Sequence, residues 1–286
     1  MEQEAQPRLE QIAPGVRRVL APNPGPFTYS GTQTYIVGER RLAVIDPGPD
    51  DPAHLDLLLR AIGDARVEAI LITHNHLDHS PAAPVLKAES GAPVMGCAPL
   101  ALDDRGPRSD AGFDLDYAPD AVLGDGESVA GEGWTLTAVT TPGHTSNHLC
   151  FAFPEGDALF TGDHVMGWST TVISPPDGDM IAYMDSLQKL RTRRDHVYYP
   201  THGAPVTRPA QLVRGLVAHR RQRERQILDL MREGMTDIAA MVGRMYASID
   251  PRLHPAAGRS VLAHLIALER EGRVRQEAEG WIRLDR

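Results

Sequence analysis

The segment that most constrains this chain is six residues long. Behind the apolar run Ala69-Ile70-Leu71-Ile72-Thr73 come five ligand-capable side chains, His74, Asn75, His76, Asp78 and His79. The run reads as a buried strand by length and composition, so it delivers His74 at a strand end. His74 and His76, two apart in extended chain, point to one side. Asp78 and His79 are expected to open a following helix over 78–89 and to face a second point nearby. Imidazole and carboxylate are the donors zinc accepts. A polar surface loop rarely sets three histidines and a carboxylate directly behind a buried strand. Whatever the chain folds into must bury that strand and leave its end free to meet a metal.

Each zinc takes about four donors, solvent included, so the run does not complete two metals alone. The missing donors are expected at other strand ends followed by turns. Three places fit: Thr141-Pro142-Gly143-His144, Thr161-Gly162-Asp163-His164 and Pro200-Thr201-His202-Gly203. A fourth, Val44-Ile45-Asp46-Pro47-Gly48, has the same form near the N-terminus. Around these points short Val-, Ile- and Thr-rich runs alternate with Gly/Pro turns. Strands are expected over 33–37, 42–45, 67–72, 134–139, 149–153, 158–161 and 196–199. Helices with acidic starts are expected over 51–62, 78–89 and 179–190. Strands interleaved with helices imply a layered α/β architecture.

The texture changes near Arg208-Pro209. One long helix is expected over 211–232, ended by Gly234. Thr236 or Asp237 caps a second over 238–246. A third spans 255–271, and residues 274–276 and 281–284 flank Glu279-Gly280 as a hairpin. Three helices and a hairpin is the layout of a winged helix. The chain therefore divides into a catalytic unit over 1–207 and a helical, winged-helix-like unit over 208–286.

With those motifs in order, the sequence resembles the metallo-β-lactamase superfamily, which includes glyoxalase II, lactonases and tRNase Z. The resemblance rests on Asp46, the His74 to His79 run, His144, Asp163 and His202, and spans roughly residues 10–207. It implies a four-layer αββα sandwich carrying the C-terminal winged-helix-like domain. By that resemblance His74, His76 and His144 hold one metal, and Asp78, His79 and His202 hold the other. Asp163 bridges both, and Asp46 steadies the histidine loop from outside the ligands. The implied cofactor is two zinc ions, with iron or manganese as alternatives. The implied chemistry is attack by a metal-bridging hydroxide on an ester-type carbonyl or on phosphorus, with Asp78 orienting the nucleophile. A carboxylate at the Asp163 position goes with dinuclear hydrolases, whereas the zinc β-lactamases proper usually carry another residue there. That argues against antibiotic hydrolysis.

A narrower likeness covers more of the chain. Residues 23–26, 31–35, 162–168, 175–179 and 219–227, with the winged-helix tail, are similar to the lactamase-β-like-2 group. That group includes a mitochondrial single-strand endoribonuclease and many hydrolases of unassigned substrate.

Other residues carry two readings each. His148 and His164 stand beside proposed ligands and are either general acids for the leaving group or structural histidines. Trp168, Ser169 and Thr170 line the substrate mouth or pack a loop. Ser146 and Asn147 contact substrate or do not. His219, among arginines, reads as a structural hydrogen-bonding residue.

Charge divides as the texture does. Residues 191–286 hold 18 arginines against 11 acidic residues, and the remainder of the net −9 chain is strongly acidic. A basic tail suits single-stranded RNA or an arginine-rich exposed helix. It offers few aromatics for stacking bases, chiefly Tyr246 and Trp281. Three functions follow. The preferred one is hydrolysis of a small ester, thioester or lactone, the tail covering the active-site mouth or forming a homodimer. The others are a single-strand endoribonuclease, and a nucleic-acid-binding regulator with a structural metal. The helix over 255–271 is mostly apolar in its first half, which favours packing over base reading. No apolar run reaches the length of a membrane span. Residues 1–7 lack a basic start and an apolar stretch, so a cytoplasmic location is expected. Two cysteines, Cys97 and Cys150, exclude a disulfide framework.

Overall fold

Two β-sheets facing each other frame the computed structural model, which describes residues 8–100, 112–248 and 250–284. The first sheet holds β1 (Arg8–Ala13), β2 (Val16–Leu20), β3 (Gln33–Val37), β4 (Arg41–Ile45), β5 (Arg66–Ile72), β6 (Val94–Gly96) and β7 (Ala121–Val122), in sequence order. It begins as an antiparallel meander and becomes parallel from β4 onward. Parallel neighbours need crossovers, supplied by α1 (Pro52–Ile62) and α2 (Ala83–Ser90). The second sheet holds β8 (Ser128–Gly131), β9 (Trp134–Thr140), β10 (Leu149–Phe153), β11 (Ala158–Gly162) and β12 (Val197–Pro200), in the order β12-β11-β10-β9-β8. Helix α3 (Met180–Arg191) crosses from β11 to β12.

Side-chain alternation explains the layers. On β10, Leu149, Phe151 and Phe153 join the core between the sheets, while Cys150 and Ala152 join the core on the outer face. On β11, Phe160 faces in and Leu159 faces out. Period-two patterning buried on both sides demands a cover on each face. Leu58 of α1 and Leu86 of α2 belong to the first core. Tyr183 and Leu187 of α3 cover the outer face of the second sheet. The result is the four-layer αββα sandwich.

The tail comprises α4 (Pro209–Arg232), α5 (Ile238–Met245), α6 (His254–Arg270) and the hairpin β13 (Val274–Glu277) with β14 (Gly280–Arg283). Helix α4 belongs to two cores. Its first half sends Val213, Leu216 and Val217 onto the sandwich, and its second half sends Ile227, Leu228 and Met231 into the core of the tail. The helix starts are chemically specified. Asp51 accepts from His54 N at 2.8 Å, and Asp179 accepts from Ile181 N and Ala182 N. Of the two candidate caps for α5, Asp237 is the one used, accepting from Ala240 N at 2.9 Å.

The structure departs from the sequence expectations in three places. Asp78 and His79 do not open a helix, because α2 begins only at Ala83. Pro84 lacks an N–H and fits only the first turn of a helix, so residues 76–82 form turns tied by His79 N to His76 O and Ala82 N to Gly48 O. His196 lies outside β12 and pairs with Asp157 on the surface. The β1–β2 hairpin was not expected, since β1 is polar and mostly exposed and β2 buries only Val16 and Val19 outright. Of the Asp- and Gly-rich stretch at 104–116, residues 104–111 lie outside the described residues, as do residues 1–7. Among the described residues no helix is long and apolar enough to cross a membrane.

Candidate metal centre

Strand direction gathers the candidate ligands. β4 and β5 run parallel, so Asp46 and His74 leave the first sheet at the same edge. β11 and β12 run parallel, and β9 runs with them across antiparallel β10. His144, Asp163 and His202 therefore leave the second sheet at one edge. The turns after these strands need glycine. At Gly143 (φ +139°) a Cβ would lie 2.4 Å from Tyr183 Cα, and at Gly162 (φ +50°) it would lie 2.7 Å from His148 Nε2.

Three groups of side chains can each hold a cation: His74 with His76 and His144, Asp78 with His79 and His202, and His74 with His79 and Asp163. In the first, His76 Nδ1 lies 2.9 Å from His74 Nε2 and 3.2 Å from His144 Nε2. In the second, Asp78 Oδ2 lies 3.2 Å from His202 Nε2 and 3.5 Å from His79 Nε2. Asp163 addresses both: Oδ2 is 3.7 Å from His144 Nε2, while Oδ1 is 3.3 Å from His202 Nε2 and 3.7 Å from His79 Nε2. Donors about 2.0–2.1 Å from a tetrahedral zinc stand about 3.3–3.4 Å from each other. The observed separations bracket that edge length.

Hydrogen bonds aim the rings. His144 Nδ1 faces Val172 O at 2.8 Å, His202 Nδ1 faces Gly31 O at 3.3 Å, and His79 Nδ1 faces Asp46 Oδ2 at 3.0 Å. Carbonyl and carboxylate oxygens only accept, so these Nδ1 atoms carry protons and Nε2 is the ring atom turned toward the centre. Asp46 is buried and accepts from Thr73 N, Thr73 Oγ1 and His79 at 2.8, 2.8 and 3.0 Å. Asp78 Oδ2 accepts from Thr32 Oγ1 at 2.9 Å.

The fit to cations shows in what remains unsatisfied. His79 Nε2, Asp78 Oδ1 and Asp163 Oδ1 are buried without a hydrogen-bond partner. Leaving such atoms unpaired costs about 1–3 kcal/mol each, more for charged groups. Burial, then the neighbouring imidazoles, holds His74 and His76 well below the usual histidine range. Burial also opposes protonation of His79 and His202, but Asp78 and Asp163 outweigh it. His79 rises to about 9, and His202 is held well above its ordinary value. Burial opposes ionisation of Asp78 and Asp163 too, yet the adjacent His79 and His202 keep both far below the carboxylate range.

A cleft of about 340 Å³ opens on the centre. His76, Asp78, His144, Asp163 and His202 form its floor, and Trp168, Ser169 and Thr170 line its side, as the sequence suggested. Its opposite wall comes from the tail: His219, Arg220 and Arg223 of α4, Tyr246, Leu253, and Ala256, Ala257 and Ser260 of α6.

Neither candidate acid reaches that cleft. His148 is buried, with Nδ1 against Thr141 Oγ1 at 2.9 Å and Nε2 accepting from Asp163 N at 3.1 Å. Both ring nitrogens are engaged, so it positions the Asp163 turn. His164 is buried beneath Tyr183, their ring centroids 4.9 Å apart, and burial pulls its pKa down to about 3. Asn75 and Asn147 are spent on each other and on the carbonyls of Asp114 and Ala98. Ser146 N donates to Asp177.

Sequence reasoning missed Thr32 and the hydroxyls beneath the ligands. Thr73, Thr141, Thr161 and Thr201 are all buried at strand ends. Each stands one to three residues before His74, His144, Asp163 or His202, a recurrence that was there to be read.

Comparison with known proteins places this geometry. The metallo-beta-lactamase superfamily pattern matches residues 28–202, and the beta-lactamase associated winged helix domain matches residues 238–281. The chain is 32% identical over 275 residues to an atrochrysone carboxyl ACP thioesterase of Aspergillus fumigatus, covering 90% of this chain and 82% of that one. It is 32% identical over 229 residues to a beta-lactamase-like protein 2 homolog of Caenorhabditis elegans, covering 79% and 74%. A metallo-beta-lactamase family protein of Thermus thermophilus superposes with a TM-score of 0.78 at 23% identity, covering 96% of this chain and 100% of that one.

Proposed function

The chain belongs to the metallo-β-lactamase superfamily and is a metal-dependent hydrolase, and from that premise we propose that it cleaves the thioester, or a comparable ester bond, of a small acyl substrate. The observation that carries this reading is the cleft. It is about 340 Å³, and helices α4 and α6 wall it opposite the ligand cluster, which suits a small acyl group and not a polymer lying across the surface. The thioesterase name of the Aspergillus relative supports the same choice of bond.

His74, His76 and His144 with Asp163 Oδ2 would hold one zinc, and Asp78, His79 and His202 with Asp163 Oδ1 the other. A set of imidazoles and carboxylates without thiolate suits zinc, and iron or manganese also accept it. When bound, such a pair supplies Lewis acidity and acidifies solvent to a pKa of about 7. The chain's own groups do the rest. Asp78, held by Thr32 Oγ1 through Oδ2, is placed to orient the attacking solvent. Asp46 and His148 keep the histidine loop and the Asp163 turn in register.

Among the described residues, His219 is the one imidazole lining the cleft outside the ligand set, and burial brings it down to about 4. No histidine is poised there to protonate a departing alkoxide. A thiolate, whose conjugate acid has a pKa of about 8.5, departs without that help.

The basic tail does not argue for RNA. Arg232, Arg244, Arg252, Arg270, Arg273 and Arg275 each pair with a carboxylate. Helix α6 buries Val261, Ala263, Leu265 and Leu268 in the cores, which opposes groove reading and the regulator alternative. We assign the unit at 208–286 to closing the cleft of the unit at 1–207. The test is a panel of acyl thioesters, lactones and oligoribonucleotides assayed with and without chelator. Chelator-sensitive turnover of thioesters supports the reading. Turnover of oligoribonucleotides alone contradicts it.

A further inference from the structure

The tail wall of the cleft carries two guanidiniums that form no ion pair among the described residues. Arg220 and Arg223 both line it. Arg220 is only 3% exposed. Its Nη2 donates to Thr171 O, its guanidinium lies 5.1 Å from the Tyr183 ring centroid, and its Nε is buried without an acceptor. Arg223 donates from Nη1 to Gln226 Oε1 at 2.9 Å and to Met245 O at 3.2 Å, with its guanidinium 4.4 Å from the Tyr246 centroid. Its Nε–H donates to His219 Nε2 at 3.3 Å. That bond makes Nε2 the acceptor and leaves the ring proton on Nδ1, which is buried without a partner.

Among the described residues no carboxylate lies within ion-pair distance of Arg220 or Arg223. Arg18, Arg41, Arg193, Arg270 and Arg273 all have one. Of the two, Arg220 is buried and Arg223 partly buried, and neither has an ion-pair partner among the described residues. Holding a buried cation without a counter-charge costs free energy, and an entering anion recovers part of it. Arg223 Nε and Nη1 are already engaged, which leaves Nη2 to donate a charge-assisted hydrogen bond to an entering carboxylate oxygen. Met166, Val172, Leu253 and Ala256 line the same cleft, so the rest of an acyl chain meets apolar walls.

We propose that the acyl group taken by this enzyme ends in a carboxylate, and that Arg223, with Arg220 and His219, binds it. This rests on the thioester reading above and adds the substrate class. Arg223 is the specificity-determining residue, since Arg220 also anchors α4 to the loop at Thr171. A phosphate on the thiol carrier could offer a similar anion, and the experiment separates the two sources.

The experiment compares glutaryl and pentanoyl thioesters of N-acetylcysteamine, which has no phosphate, with pentanoyl-coenzyme A, which has. The native enzyme is expected to favour glutaryl over pentanoyl in kcat/KM by about tenfold to a hundredfold, the size of a charge-assisted hydrogen bond. The ratio falls toward one in Arg223→Met and is partly restored in Arg223→Lys. A merely structural arginine would lower both substrates together and leave the ratio unchanged, which overturns the proposal. A ratio near one in the native enzyme overturns it too. So does sensitivity to Arg223→Met confined to coenzyme A esters, which would assign the arginines to the carrier's phosphate. If no thioester is turned over, the thioester reading fails by itself, and the subsite is read by calorimetry with the non-hydrolysable thioether analogues. Tighter binding of the carboxylate-ended analogue, lost in Arg223→Met, upholds the subsite, and equal binding of the two removes it.

Discussion

The two halves of the candidate metal centre are built from similar side chains and behave differently. His74, His76 and His144 meet nitrogen to nitrogen at 2.9 and 3.2 Å with no carboxylate of their own. His79 and His202 lie against the carboxylates of Asp78 and Asp163. Burial and mutual repulsion keep His74 and His76 neutral, whereas the acids hold protons on His79 and His202. The lesson concerns neutrality in a buried place. The first half is ready for a cation as it stands, while in the second half protons stand in for one. Asp163 is the carboxylate that faces both, and the His74 and His79 rings meet at 4.0 Å between centroids.

The largest effect is therefore expected at Asp163. Asp163→Ala should cost well over the 10–100-fold typical of residues that only orient ligands, and should lower metal content below two equivalents per chain. Metal analysis beside steady-state kinetics checks this. An active variant that retains both ions would erase the shared-bridge account.

Asp46→Asn comes next. It keeps the shape but weakens the acceptor for Thr73 and His79, and about 10–100-fold in metal affinity or activity is expected. The loss should be greater for the half containing His79. Competition with a coloured chelator measures each affinity, and equal loss in both halves would show that the asymmetry is not transmitted through Asp46.

The same asymmetry predicts a pH signature. Groups with raised pKa release protons on loading, and His79, raised to about 9, and His202 are protonated at pH 7 in the metal-free protein. Affinity at the second half should rise as pH increases across neutrality. Affinity at the first half should stay flat, since His74 and His76 are already neutral there. Calorimetry in buffers of different ionisation enthalpy counts the protons. Equal release from both steps would contradict the comparison.

The smallest effect lies away from the metals. Arg270 of α6 pairs with Asp179, the cap of α3. Burial opposes ionisation of Asp179, but the N–H groups of Ala182 and Ile181 and the Arg270 guanidinium outweigh it and lower its pKa. A depressed carboxyl contributes stability that is present above its unfolded pKa of about 3.9 and is lost as pH falls through the folded value. Arg270 is exposed and Asp179 partly so, and solvent screens the pair, so Arg270→Ala should cost less than about 1 kcal/mol. The difference in urea midpoint should vanish in acid, and one that persists there would mean that packing, not charge, ties the tail to the sandwich.

How much of this was legible in the sequence follows from the range of the interactions. The candidate ligand positions that the fold gathers were readable, because strand, turn and then His or Asp is a local pattern repeated at His74, His144, Asp163 and His202. The same locality revealed Asp179 and Asp237 as caps. The start of α2 was misread because Asp78 resembles a helix opener, and the veto by Pro84 acts six residues later. His148 kept two readings because its hydrogen bond to Asp163 N spans 15 residues. The Arg220 and Arg223 wall was invisible as a wall, since only tertiary packing carries α4 across the cleft. Read linearly, those arginines look like nucleic-acid charge, and the ion pairs of Arg232, Arg244, Arg252, Arg270, Arg273 and Arg275 appear only in three dimensions.

The central claim is a two-cation centre held together by one carboxylate. Anomalous diffraction from crystals grown with zinc tests it most directly. The expected result is two peaks about 3.5–4 Å apart, one beside His74, His76 and His144, the other beside Asp78, His79 and His202, with one oxygen of Asp163 toward each. A single peak at the three histidines in fully active protein, with Asp163 turned away, would contradict it.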